Sequence, residues 1–181
     1  MKTEAPITEE RMDHIMKIIV INGPMGVGKT TVGKRVADSL PGTAFIDGDW
    51  CMDLHPFVGS PETRAMAADN ILHMAANYLR CSVCRMVVVV WLMDDPAVAA
   101  GLTEGLSALG AEVVSVTLVC GREQLIRRWK NDRECEWRTE KWLESSLRSL
   151  PAFAAAENAV DTSALSPEQA ADRILEIAVG E

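Results

Sequence analysis

Strands and helices alternate along this chain of 181 residues, which predicts a doubly wound, three-layer α/β/α sandwich on a parallel sheet. Two apolar runs, Ile18-Ile19-Val20-Ile21 and Val87-Val88-Val89-Val90, are continuous rather than alternating, as strands covered on both faces must be. Every pair of predicted strands is separated by at least one helix, long enough for a parallel crossover. A glycine-rich segment, Gly23-Pro24-Met25-Gly26-Val27-Gly28-Lys29-Thr30, joins the first strand directly to the first helix.

The elements follow in order. Residues 1–14 read as an arm and residues 15–181 as one domain. The first strand spans 17–21. The helix after the glycine segment ends at Leu40, where Pro41-Gly42 cannot continue it. A short strand, 43–46, leads to Asp47-Gly48-Asp49 and a loop over 50–61. Residues 63–80 have helical periodicity, with Met66, Ile71, Met74, Ala75 and Tyr78 as apolar anchors. Strand 86–92 is followed by helix 96–109, opened by Pro96 and stopped by Gly110. Strand 112–119 precedes two helices, 122–130 and 139–150, joined by a charged segment. Ala159-Val160 is the last strand. Ser166-Pro167 caps a final helix running to about Val179.

The glycine segment fits G-x-x-x-x-G-K-[ST] at every fixed position, and its strand and helix flanks are the context that pattern requires. Gly23, Gly26 and Gly28 free the backbone to curl into a nest of N–H groups, with Met25, Val27 and Thr31 on the same cradle. The helix dipole points into that nest. Lys29 adds a cation for outer phosphates and Thr30 a hydroxyl for Mg2+. An ordinary glycine turn explains the glycines but not Lys29-Thr30.

Charge narrows the partners. The formal net charge is −8, which argues against nucleic acid and anionic membrane surfaces. The acidity is uneven: residues 122–148 hold eight Lys/Arg against six Asp/Glu. The N-terminal residues show no apolar signal core, and the apolar run 87–93 is too short to span a bilayer as a helix. The five cysteines are odd in number and read as reduced thiols of a cytoplasmic protein. Cys81-x-x-Cys84 lacks a second ligand pair for zinc, and helix-end packing accounts for it.

In an open parallel sheet, ligands gather at the carboxyl ends of the strands. Asp47 and Asp49 stand at such an end. One of the pair suits Mg2+, and the other suits the proton of an attacking hydroxyl. Trp50, His55 and Phe57 come next as candidate walls of a small-molecule pocket. Arg122, Arg127, Arg128, Arg133 and Arg138 supply cations for a closing lid around 128–140, although interleaved acids also suit a solvated helix pair.

With these motifs in place, the chain resembles the small P-loop kinases: shikimate kinases, gluconate kinases, nucleoside monophosphate kinases and the phosphotransferase that modifies chloramphenicol. Its Asp-Gly-Asp-Trp-Cys stretch is similar to that of uncharacterised AAA-type nucleotide kinases. The resemblance implies a P-loop NTPase fold with sheet order 2-3-1-4-5 and a small helical lid. It implies ATP as donor and Mg2+ as cofactor. Asp47 matches the acid near the metal, Asp49 the acid near the acceptor hydroxyl, and Arg128 or Arg133 the lid arginine. Asp161-Thr162 would lie near the adenine. Two departures stand out. Trp91-Leu92-Met93 separates the third strand from Asp94-Asp95, which leaves Asp47 as the better metal acid. Between Trp50 and Arg80 only Arg64 and Arg80 occur, which disfavours a nucleoside monophosphate acceptor. The expected activity is phosphoryl transfer from ATP to a hydroxyl of a small metabolite or antibiotic. The alternative is a nucleotide-binding regulatory NTPase, or a nucleoside or nucleotide kinase.

Overall fold

The computed structural model describes residues 15–132 and 139–180. The expected arm, together with Arg133 and Arg138, lies outside the described residues. Five strands, β1 (Lys17–Asn22), β2 (Thr43–Asp47), β3 (Met86–Val90), β4 (Glu112–Val119) and β5 (Ala159–Asp161), form one sheet. Its order is β2-β3-β1-β4-β5 and every pairing is parallel. The helices are α1 (Lys29–Ser39), α2 (Pro61–Arg80), α3 (Pro96–Ala108), α4 (Arg122–Asn131), α5 (Glu140–Ala154) and α6 (Pro167–Val179). One 3-10 turn, Trp50–Met52, comes after β2.

Strand alternation divides the core into two layers. Ile19, Ile21, Val88 and Val90 pack with Val32 and Val36 of α1 and Ile174 of α6. Ile18, Val20, Val87 and Val89 pack with Ala67 and Ile71 of α2 and with Leu102 and Leu106 of α3. All of these strand residues are essentially excluded from solvent, which is why the runs are apolar without interruption.

Register sets the site. Ile21, Val90 and Asp47 are level across β1, β3 and β2. The three strands therefore end side by side, and the segments leaving them converge on one edge of the sheet.

Four element readings need correction. Helix α2 begins at Pro61, two residues early, because Ser60 and Thr63 form a reciprocal capping box. Its buried stripe is Thr63, Ala67, Ile71 and Ala75, whereas Met66 and Met74 remain more than a third exposed. The small alanines let the helix lie close on the sheet, and the longer methionines are turned aside. Strand β3 stops at Val90, and Trp91 and Met93 continue inside the core as irregular chain. Helix α5 runs through Pro151 to Ala154, which buries Phe153. At the end of α2, Cys81 is exposed, while the buried Cys84 donates its thiol to the Met86 carbonyl at 3.3 Å. Among the described residues, no group of three or more His, Cys, Asp or Glu is placed to hold a metal ion. Nor is any described helix long and apolar enough to cross a membrane.

Candidate phosphate-binding active site

The loop between β1 and α1 has the geometry its glycines require. Gly23, Gly26 and Gly28 all take positive φ. Gly23 is the most constrained, because a Cβ there would stand 2.4 Å from the Leu118 carbonyl oxygen of β4. Gly28 caps α1, so the first turn of the helix opens toward the loop. Lys29 arches over the loop and donates its Nζ protons to the carbonyls of Gly23 at 2.8 Å and Pro24 at 3.1 Å.

Asn22, which the sequence motif does not include, anchors the loop entrance. Its Oδ1 accepts from the Gly23 N–H at 2.7 Å and from the Met93 N–H at 2.9 Å. Its Nδ2 donates to the Met93 carbonyl at 2.9 Å. One amide side chain thus ties the loop to the segment leaving β3. A strand-terminal Asn ahead of the first glycine is the signal that points to it.

From the other side, helix α4 braces the loop. Arg128 donates to the Val27 carbonyl at 2.7 Å, and to the hydroxyl and carbonyl of Thr162 at 2.9 and 2.6 Å. The adjacent Trp129, buried, would meet a Gly26 Cβ at 2.9 Å. Thr162 is itself buried, and its hydroxyl donates to the Val119 carbonyl at 2.9 Å. The guanidinium of Arg128 therefore links the loop to the end of β5. Arg122 and Arg127 are exposed on the same helix. Asp161 accepts from the Ser163 hydroxyl at 2.6 Å and the Ser163 N–H at 2.8 Å. Those two bonds hold its carboxyl below the usual carboxylate range.

Opposite the loop, Asp47 joins two groups. The Thr30 hydroxyl donates to its Oδ2 at 3.0 Å, and the Asp49 N–H donates to its Oδ1 at 3.1 Å. Between the two acids, Gly48 donates its N–H to the Val90 carbonyl at 2.8 Å. A Cβ on Gly48 would stand 2.3 Å from the buried Trp91 indole. Glycine is needed there because the tryptophan fills the space. The Thr30 hydroxyl and the Asp47 carboxylate are adjacent hard oxygens at the loop mouth, a donor set that suits Mg2+.

Asp49 keeps an exposed edge, but its carboxyl is crowded by protein. Desolvation raises its proton affinity first, the Asp47 charge raises it further, and the Lys29 charge opposes both. Burial and the two aspartates also push the Cys51 thiol up, which keeps it protonated. Trp50 is 82% exposed. His55, also exposed, lies 3.4 Å from Asp53, and Phe57 is partly exposed farther along the loop. Arg64 of α2 pairs with Asp94 at 3.3 Å. Loop, aspartates and the Trp50–Phe57 segment thus share one edge of the sheet.

A family model described as an AAA domain matches residues 19–148. The chain belongs to this AAA domain family. The matched span of the AAA domain takes in the glycine loop, Asp47-Gly48-Asp49 and Arg128, and stops short of Asp161-Thr162. No curated protein sequence matches the chain. Among solved structures it is similar to a tunicamycin resistance protein from Deinococcus radiodurans, with 23% identity and a TM-score of 0.65 over 91% of this chain and 96% of that one. A gluconokinase from Sinorhizobium meliloti 1021 superposes with 19% identity and a TM-score of 0.66 over 93% and 97% of the two chains. A shikimate kinase from Acinetobacter baumannii, in complex with shikimate, gives 20%, 0.58, 91% and 94%. At these identities the shared property is the fold, and it is that of the small P-loop kinases.

Proposed function

We propose that this protein transfers the γ-phosphoryl group of ATP to a hydroxyl of a small molecule. The observation that carries the reading is the convergence of Thr30, Asp47 and Asp49 at the mouth of the glycine loop. A nucleotide-binding loop alone needs no second acid aimed at its mouth.

In this reading, the backbone nest and Lys29 hold the donor phosphates. Lys29 exchanges the Gly23 and Pro24 carbonyls for phosphate oxygens. Thr30 and Asp47 are the residues that would hold Mg2+, whose chemistry is neutralisation of charge on the β- and γ-phosphate oxygens. Asp49 orients the acceptor hydroxyl and takes its proton. The hydroxyl oxygen bonds to the γ-phosphorus as the bond to the β–γ bridging oxygen breaks, and ADP leaves with that electron pair. The raised proton affinity of Asp49 suits a base. Arg128 steadies the loop from behind, and Asp161 and Thr162 border the adenine. Trp50, His55 and Phe57 border the acceptor. Arg133 is assigned the lid cation by resemblance alone.

The test is ADP release from ATP and Mg2+ with and without a panel of small alcohols. Lys29→Ala is expected to abolish turnover and leave the circular dichroism spectrum unchanged. Undiminished turnover in that variant would sink the reading. Slow hydrolysis that ignores both acceptor and Asp49→Asn would mark a nucleotide switch instead.

A further inference from the structure

The Cys81-Ser82-Val83-Cys84 stretch between α2 and β3 takes no part in the phosphotransfer reading. Packing accounts for Cys84, which is 7% exposed and donates its thiol to the Met86 carbonyl at 3.3 Å. Packing does not account for Cys81, which is exposed. The backbone brings the two residues together. Cys81 ends α2, donating its N–H to the Tyr78 carbonyl at 3.0 Å. The chain then turns at Ser82 and Val83, and the Cys84 N–H donates back to the Cys81 carbonyl at 3.1 Å. A four-residue turn closed by such a bond holds its end Cα atoms within about 7 Å. Disulfides span about 4.4–6.8 Å between Cα atoms, so the turn puts this pair within bridging reach.

The turn is also anchored. Arg85, the next residue, donates its N–H to the Gly42 carbonyl at 2.8 Å. The Val83 carbonyl oxygen lies 2.7 Å from the position a Gly42 Cβ would take, so the turn rests directly on the junction of α1 and β2. Helix α2 fixes one end of the turn and this contact fixes the other. The two Cα atoms are thereby held close before any bridge forms, which lowers the entropy cost of closing one. Exposure makes Cys81 the sulfur that a reagent meets first, with the buried Cys84 following it inward.

We propose that Cys81 and Cys84 form a thiol–disulfide exchange site, which takes a low-molecular-weight disulfide of the glutathione class and closes a reversible bridge across the turn. The Cys81 thiolate attacks one sulfur of the glutathione disulfide, that S–S bond breaks, and one glutathione thiolate leaves. The Cys84 thiolate then attacks Cys81 Sγ in the mixed disulfide, and the second glutathione thiolate leaves. The two cysteines are oxidised, the glutathione disulfide is reduced to two thiols, and the two cysteine protons pass through solvent to those thiols. Cys84 gives up its bond to the Met86 carbonyl in the process. A bridge over so short a loop constrains the unfolded chain little, and one end of it is exposed. Both features belong to a labile disulfide rather than a structural one. The turn leads into the amino end of β3, whereas the glycine loop leaves the carboxyl end of its parallel neighbour β1. The inference therefore stands or falls apart from the phosphotransfer reading.

Trypsin supplies the readout, because cleavage after Arg80 and Arg85 releases a peptide holding Cys81, Cys84 and no other cysteine. The full chain is equilibrated with reduced and oxidised glutathione, quenched with acid, alkylated in denaturant, digested and weighed. The peptide is expected to lose two hydrogens and to take up no alkyl group, and dithiothreitol should restore both thiols. At fixed reduced glutathione, half closure should need about tenfold less oxidised glutathione in the folded chain than in urea. Cys84→Ser should stop at a glutathione adduct on Cys81, and Cys81→Ser should leave Cys84 without an adduct. A wild-type peptide alkylated at both cysteines overturns the proposal, as does one carrying glutathione on Cys81 beside an alkylated Cys84. So does a bridge from either cysteine to another in the chain, or closure no easier in the folded chain than in urea. A Cys84 adduct in Cys81→Ser as abundant as the Cys81 adduct in Cys84→Ser overturns the assigned order of attack. The wild-type outcomes decide the site even where a serine variant fails to fold.

Discussion

Thr30 and Asp47 meet across the mouth of the glycine loop, where the Thr30 hydroxyl donates to Asp47 Oδ2 at 3.0 Å. One residue opens α1 and the other closes β2, and the level register of β1, β3 and β2 brings them together. If this pair shares a divalent cation, Thr30→Val removes one of two ligands with little change in shape. The expected result is a kcat/KM loss of roughly 100-fold, with a higher Mg2+ concentration needed for half-maximal turnover. Mg2+ titration of ADP release measures both, and an unchanged titration midpoint counts against the assignment.

Asp49 carries the pH prediction. Desolvation and the Asp47 charge raise its pKa, so the base is lost as pH falls through a value above the ordinary carboxylate range. The acid limb of kcat/KM is expected above that range, and Asp49→Asn should lower kcat by about 100- to 10,000-fold and abolish the limb. Rates measured from acid to neutral pH check both. The linked stability effect has the opposite sense. An acid whose folded pKa is raised favours folding most below its unfolded pKa, and that contribution is lost as pH rises through the folded value.

Gly48 and Trp91 make a packing prediction independent of activity. Gly48→Ala places a methyl group 2.3 Å from the indole, which is expected to destabilise the protein by about 1–3 kcal/mol. Trp91→Leu opens the same space, so the double variant should lose less than the two single losses combined. Urea unfolding of the four proteins gives the coupling, and strict additivity would contradict the contact.

Arg128 should matter to both stability and nucleotide affinity. Its bonds to Val27 and Thr162 span two elements, and lysine cannot make both at once. Arg128→Ala is expected to lower stability by about 1.5–3 kcal/mol and weaken ATP binding, with Arg128→Lys recovering little of either. Denaturant melts and ATP titrations separate the two effects. Full recovery by lysine would show that charge, not the bridge, is what counts.

Much of this architecture is legible in the order of residues. The apolar runs mark β1 and β3 because both of their faces are covered. Glu112–Val119 emerges with its predicted bounds, and Ser166-Pro167 caps α6 as expected. The face of α2 is not legible in the same way, since periodicity allows methionine or alanine as the anchor and only contact with the sheet selects Ala67, Ile71 and Ala75. Arg128 stands out in sequence as a cation suited to a phosphate, and in the fold it holds carbonyls of Val27 and Thr162.

The line between the two kinds of knowledge tracks the range of the forces involved. Glycine torsions, helix caps and apolar period act over a few residues, so the glycine loop, its helix and the strand ends can be read in sequence. Asn22 holding Met93, Trp91 demanding glycine at position 48, and Thr30 reaching Asp47 are pairings between distant segments. They exist because parallel register aligns three strand ends, and that alignment is a property of the packed sheet.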